Sequence, residues 1–167
     1  MLFRQLFDHD SWTYSYLLAD EKTREALIID SVDMQVDNTV QLLEELNLKL
    51  VLSIETHTHA DHITGAGLLR ERTGCLTRVG EQSSAHCAGG TYRDGDILTV
   101  GSLRVQVWYT PGHTDDSYSF LLLDDERHDL RPNRHTKSKT RVQPVHQVRR
   151  QPHRHERIHA CVQRTRS

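Results

Sequence analysis

Apolar positions along the first 126 residues follow two periods, one of strands and one of helices, and the pattern ends there. Residues 14–19 (YSYLLA) and 26–30 (ALIID) are apolar runs around the charged segment DEKTRE, which predicts a β-hairpin. Val36, Val40, Leu43 and Leu46 then recur at helical spacing and predict a helix over 36–46. The run LKLVLSIE, 48–55, reads as a strand buried on both faces, and a second helix is predicted from about 63 to 72, ending before Gly74. A short strand, CLTRV, follows. Asp94-Gly95 marks a turn, and 97–100 and 103–109 flank Gly101-Ser102 as a second hairpin. Residues 117–123 (SYSFLLL) form one more buried strand. Strand, helix, strand, loop, helix is the order of an α/β layer fold.

From Arg127 onward neither period persists. Residues 127–167 contain no glycine and no aromatic residue, and their few aliphatics are scattered. Such a segment buries too little apolar surface to offset about 1–2 kcal/mol of backbone entropy per ordered residue. The expectation is one domain over 1–126 and a disordered, basic, His/Arg-rich tail over 127–167. Charge divides at the same place: 1–126 carries 9 Lys+Arg against 21 Asp+Glu, and 127–167 carries 12 against 2. The overall net charge of −2 conceals this split.

Composition narrows the classes further. No stretch approaches the ~18 apolar residues of a membrane helix, and the opening MLFRQLFDHD has neither a signal-type apolar run nor transit-peptide composition. A cytoplasmic location with no membrane partner is expected. Cys75, Cys87 and Cys161 are odd in number and widely spaced, which fits a reducing compartment rather than a disulfide framework. The basic tail raises nucleic acid as a partner, but it lacks aromatics for stacking and any known module, so no nucleic acid is expected. The six tail histidines are too irregularly spaced to read as a metal site.

The chemistry concentrates in T-H-T-H-A-D-H, Thr56 to His62, where a buried strand meets a helix. His57 and His59 are two apart, so both can turn toward one point at the strand end; Asp61 and His62 occupy the turn that follows. Packing four metal-capable side chains this closely is costly without a cation, and imidazole with carboxylate suits Fe, Zn, Mn or Cu. A second signal, T-P-G-H-T at Thr110 to Thr114, presents His113 on a turn forced by Pro111-Gly112. A lone histidine is more often a surface or capping residue than a ligand, but HxHxDH followed by PGH at the next hairpin's end is far more specific. His57, His59, Asp61, His62 and His113 are the candidate metal residues.

THTHADH with a later TPGHT resembles the metallo-β-lactamase superfamily, an α/β fold built as a four-layer αβ/βα sandwich with metal at the sheet edges. THTHADHITGAGLLRE, LFRQLFDHDSWTYSYLLAD and TREALIIDSV look like its persulfide dioxygenase (sulfur dioxygenase) branch, over about residues 2–126. Glyoxalase II, a cousin, usually has THHHxDH followed by GG; here Thr58 and Thr64-Gly65 stand in those places. The resemblance implies oxidation of glutathione persulfide by O₂ to sulfite and glutathione at one Fe(II) per chain. That iron is held by two histidines and an aspartate, with His57 and His113 as the histidines. His59, Asp61 and His62 match positions that bind metal in the two-zinc hydrolases and would orient ligands in the one-iron branch. Expected partners are a small thiol persulfide and O₂; oligomeric state is left open.

The sequence also departs from the family. The aspartate ligand normally lies in a T-G-D context after PGH, where this chain reads DDERHDLRPNRH. The Arg-rich substrate loop and late P-x-H are absent too. The expectation is therefore a family sequence truncated or frame-shifted after about residue 126, mainly the N-terminal half of the fold, with activity compromised. Asp124, Asp125 and Asp129 are the available substitutes. A three-histidine zinc site from His57, His59 and His113 is a further possibility, and a glyoxalase II-type zinc thioester hydrolase is the alternative function.

Overall fold

The first predicted hairpin forms as strand β2 (Tyr14–Ala19) antiparallel to β3 (Glu25–Ile29), and a six-stranded sheet grows around it. The computed structural model describes residues 1–85, 87–123 and the backbone of Val162–Arg164. Sheet order is β1 (Leu2–Phe7), β2, β3, β4 (Lys49–Ile54), β5 (Leu76–Gly80) and β6 (Thr91–Tyr92). The first three strands are antiparallel neighbours, and the β3–β4, β4–β5 and β5–β6 pairs are parallel. A second sheet runs β7 (Ile97–Val100), β8 (Leu103–Tyr109), β9 (Tyr118–Leu123) and β10 (Val162–Arg164), with β10 parallel to β9. The expected disorder of 127–167 lies outside the described residues, apart from the short strand Val162–Arg164.

Besides β10, which falls in the tail expected to be disordered, two strands escape the sequence reading. β1 carries no clean alternation, because it is an edge strand whose central residues are exposed. β6 is two residues long, within a polar stretch.

Helix α1 (Val36–Glu45) buries Val36, Thr39 and Leu43 and ends at Asn47, whose φ of 50° is a left-handed stop. Helix α2 (Ala66–Thr73) ends on Gly74 (φ 74°), as expected, but begins three residues later than the reading that started it at 63. Residues before Ala66 belong to the histidine loop, pinned by the Gly65 amide to Ser31 O (2.8 Å) and the Asp33 amide to Ile63 O (3.0 Å).

Strands β2, β3 and β4 are buried on both faces, and their side chains alternate between two cores. Leu17, Ala19, Ala26, Ile28 and Leu50 face α1 and α2 together with Leu43 and Leu69. Tyr16, Leu18, Leu27, Ile29, Leu52 and Ile54 face the second sheet, meeting Val105, Val107, Tyr118 and Phe120. Leu50 and Leu52 have the same parity yet lie in different cores. The cause is a bulge: Ala26 pairs with Leu50 and Leu27 with Leu52, so Val51 is an extra residue that reverses the side-chain phase.

Each sheet supplies the other's facing layer: β2–β4 cover the inner face of β7–β9, and Tyr118 and Phe120 are each 1% exposed. Tyr92 meets both rings edge-on, at centroid distances of 5.0 and 5.4 Å, a geometry worth about 0.5–1.5 kcal/mol per pair beyond area burial. Apolar exposure lies instead on the outer side of the second sheet, at Ile97 (44%) and Trp108 (37%). Trp12 is 58% exposed on the β1–β2 turn with φ 59° and touches Phe7 edge-on.

Candidate metal centre

β4 delivers Glu55 and Thr56 to the end of the first sheet, and the chain turns there into the histidine loop. The second sheet meets it at the same place, because the Tyr118 amide at the start of β9 donates to Thr56 O (2.8 Å). This junction brings together four imidazoles, three from residues 57–62 and the fourth, His113, from the loop after β8. Ring centroids lie 4.1 Å apart for His57 and His59, 4.3 Å for His59 and His62, and 5.0 Å for His57 and His113. Asp61 Oδ1 sits 3.2 Å from His62 Nδ1 and 3.6 Å from His59 Nδ1. One potential ligand atom from each of His59, Asp61 and His62 falls within a 4.8 Å cluster; Asp30, Glu55 and His59 form a second such group.

Several residues of this assembly carry no motif in the sequence. Asp30, which ends the run ALIID, is buried with φ 54°, a left-handed conformation aspartate tolerates better than most residues. Its carboxylate accepts from the Thr56 amide (2.6 Å) and the Thr56 hydroxyl (2.8 Å), and it lies 3.1 Å from His59 Nε2. Thr56 Oγ1 in turn contacts His57 Nδ1 at 2.8 Å, so one carboxylate steadies both strand-end histidines. Glu55 Oε1 accepts from the Thr64 hydroxyl (2.6 Å), and its other oxygen is 3.6 Å from His59 Nε2. Thr13 Oγ1 donates to Asp61 Oδ2 and lies against His62 Nδ1, both at 3.2 Å. Asp116 ties the two histidine loops together through Thr58 and Thr114. Only its place three residues after His113 hinted at a role.

Electrostatics separate the histidines. Burial, reinforced by the neighbouring His59 charge, lowers His57 to about 4, which leaves it neutral and ready to ligate at pH 7. Burial works against charge on His59 too, but contact with Asp30 and the carboxylates of Glu55 and Asp61 outweigh it and raise it to about 9. His62 is lowered, by burial first and then by His59. Glu55 is pushed up to about 8 by burial and the Asp30 charge.

A metal is what the superfamily fold implies, and the donors fit one. His62 Nε2, Glu55 Oε2 and His59 Nε2 are buried without a hydrogen-bond partner, although His59 Nε2 lies within ion-pair distance of Asp30 (3.1 Å) and Glu55 (3.6 Å). Stranded buried polar atoms cost about 1–3 kcal/mol each, a cost that bonding a cation removes. Imidazole and carboxylate together suit iron or zinc. All five predicted site residues meet here: His57 with His113 across the sheet junction, and His59, Asp61 and His62 along the loop.

Comparison with known proteins agrees with this geometry. A model of the metallo-beta-lactamase superfamily matches residues 13–127. The persulfide dioxygenase ETHE1 of Homo sapiens is 41% identical over 125 residues, covering 74% of this chain and 49% of that protein. The hydroxyacylglutathione hydrolase of Rhodopseudomonas palustris is 31% identical over 114 residues, covering 67% and 44%. The crystal structure of ETHE1 from Myxococcus xanthus superposes with a TM-score of 0.68 at 49% identity, over 72% of this chain and 56% of that one. This chain spans about half the length of the curated relatives it matches. Fold, histidine motif and family match converge: the chain belongs to the metallo-beta-lactamase superfamily and is similar there to persulfide dioxygenases.

Proposed function

We propose that this site belongs to a mononuclear iron dioxygenase that oxidises glutathione persulfide with O₂ to sulfite and glutathione. The observation that carries the reading is the approach of His57 and His113, rings 5.0 Å apart, in a chain 41–49% identical to proteins named persulfide dioxygenase or ETHE1. The glyoxalase II-type hydrolase reading has weaker support, at 31% identity to a hydroxyacylglutathione hydrolase. Its specific structural argument is the His59–Asp61–His62 group, where a second metal would bind.

In this proposal His57 and His113 would hold the iron, which would supply the redox chemistry toward sulfur and O₂. The chain's own residues position it. Thr56 fixes one ring nitrogen of His57, leaving the other for the metal. Asp30 and Glu55 hold the His59 ring, while Thr13 and Asp61 hold His62. Water is kept from the inner side of the cluster by the burial of Glu55 and Thr56.

A third ligand in the family's Gly-Asp context does not follow His113 in the sequence, so weak iron retention and low turnover are expected of this chain. A shifted reading frame near residue 127 accounts for that absence, and sequencing the source gene checks it: a tail preserved in a continuous frame would reject the frame shift. The functional test is metal analysis after anaerobic Fe(II) reconstitution, with O₂ uptake and sulfite formation measured on glutathione persulfide. Iron-dependent sulfite formation lost in His57→Ala and His113→Ala supports the proposal. Zinc binding with thioester hydrolysis and no O₂ uptake would overturn it.

A further inference from the structure

A cleft of about 170 Å³ is lined by residues of α2 and β5, Arg70 and Arg78 among them, and by His57, His59 and His62. Sites for whole small ligands are typically about 300–1,000 Å³, so this one accommodates one arm of a ligand whose other end reaches the histidines. We propose that it is the subsite for a carboxylate of the thiol substrate, with Arg78 as the anchor and Arg70 as a second donor. This rests on the persulfide reading for the identity of the thiol as glutathione.

Three observations carry the assignment. Arg78 is half-buried on β5, yet makes no hydrogen bond or ion pair with any described residue. A partly desolvated guanidinium without a counter-charge is costly, and its fork of donors matches a carboxylate. Arg70, on α2, forms no ion pair with a carboxylate among the described residues and donates a long hydrogen bond to the Cys87 carbonyl, at 3.4 Å. Arg72, two residues further along the same helix, shows the contrast: it is exposed and already paired with Asp37 at 2.7 Å.

The cleft also lacks a competing anion. Among the described residues that line it, Glu55 is the one acidic side chain, and it forms no ion pair with either arginine; one oxygen accepts from Thr64 and the other faces His59. A ligand carboxylate on Arg78 would hold the thiol in the cleft that His57, His59 and His62 also line. Arg78 thus sets which thiols bind, and it does so by charge pairing rather than by touching the reacting sulfur.

The test uses the full chain loaded with zinc, a redox-inert metal, titrated with glutathione and with glutathione dimethyl ester by calorimetry. Glutathione should bind, with Arg78→Ala weakening it about tenfold or more, Arg78→Lys recovering part of the loss, and Arg70→Ala weakening it less. Arg72→Ala should bind as the unaltered protein does. The dimethyl ester should bind the unaltered chain as weakly as glutathione binds Arg78→Ala, a comparison that stands even if that variant folds poorly. Equal binding of glutathione and its ester, an unaffected Arg78→Ala, or no glutathione binding at all would overturn the subsite. Failure of the dioxygenase reading would look different: no O₂ uptake, with Arg78-dependent glutathione binding intact.

Discussion

Asp116 Oδ2 accepts two hydrogen bonds from Thr58, one from its amide (2.9 Å) and one from its hydroxyl (2.6 Å), across 58 residues of sequence. Its other oxygen takes the Thr114 hydroxyl (2.6 Å). The loop of His57 and His59 is thereby fixed to the loop of His113, and the two halves of the metal centre are held in register.

Asp116→Ala should therefore weaken metal binding by about 10–100-fold, the usual effect of losing a group that orients ligands. Competition with a fluorescent zinc chelator measures this. Burial opposes charge on Asp116, but its bonds from Thr114 and Thr58 prevail and hold its carboxyl below the usual range. The stability it contributes is present above the unfolded carboxylate pKa and is lost as pH falls through the folded value. The unaltered protein should thus lose more stability than Asp116→Ala on acidification below about pH 4. Identical acid unfolding profiles would rule this out.

Asp30→Ala strands the Thr56 amide in the core and removes the partner of His59 and Thr56. An unsatisfied buried donor costs about 1–3 kcal/mol, so a clear fall in Tm is expected even with chelator present. Asp30→Asn keeps the shape and tolerance of positive φ, so it should unfold closer to the unaltered protein while binding metal more weakly. Thermal unfolding with and without zinc separates the two effects.

Metal-free protein should lose stability as pH rises from about 6.5 to 9. His59 is raised to about 9, so its favourable interaction is complete below the unfolded histidine pKa and disappears as the proton leaves through the folded value. Glu55, raised to about 8, acts in the same direction, since ionising it in the core becomes a cost as pH rises. In the three-histidine zinc arrangement of His57, His59 and His113, zinc on His59 would replace the proton, so the zinc-loaded protein should not show this decline. Tm measured across pH with chelator and with zinc tests it; parallel curves would reject the account.

Gly65 and Gly67 lie two apart at the start of α2, in different surroundings. A Cβ on Gly65 would stand 2.9 Å from both Val32 O and Val36 Cγ2, whereas one on Gly67 meets nothing within 4 Å. Gly67→Ala inside α2 should then be neutral or stabilising by up to about 1 kcal/mol. Gly65→Ala should destabilise, because backbone must move. Gly80→Ala should be worse still: its Cβ would fall 2.2 Å from Tyr118 Cε2, within the core that joins the two sheets. Chemical denaturation of the three variants gives the order directly.

Much of the fold was legible because burial writes itself into local periodicity. Residues 14–19, 97–100 and 103–109 form strands at their predicted bounds, and the helix expected over 36–46 forms over 36–45, since their apolar spacing matches the face they bury. The histidine cluster was legible as a candidate, because three of its imidazoles and Asp61 fall in one short stretch and His113 follows a turn-forcing Pro-Gly. What local pattern could not reveal were relationships made by chain crossing. Val51 reverses the phase of β4 only because Ala26 and Leu27 pair as they do. Asp30 becomes the hub of the site only when β3 lies beside β4, and Asp116 reaches Thr58 only when the second sheet packs on the first. Sequence alone determined the elements and the chemistry of the donors, since both depend on residue type and short spacing. Tertiary structure decided which carboxylates hold the histidines and which arginine is left unpaired beside them, because those depend on contacts between residues tens of positions apart.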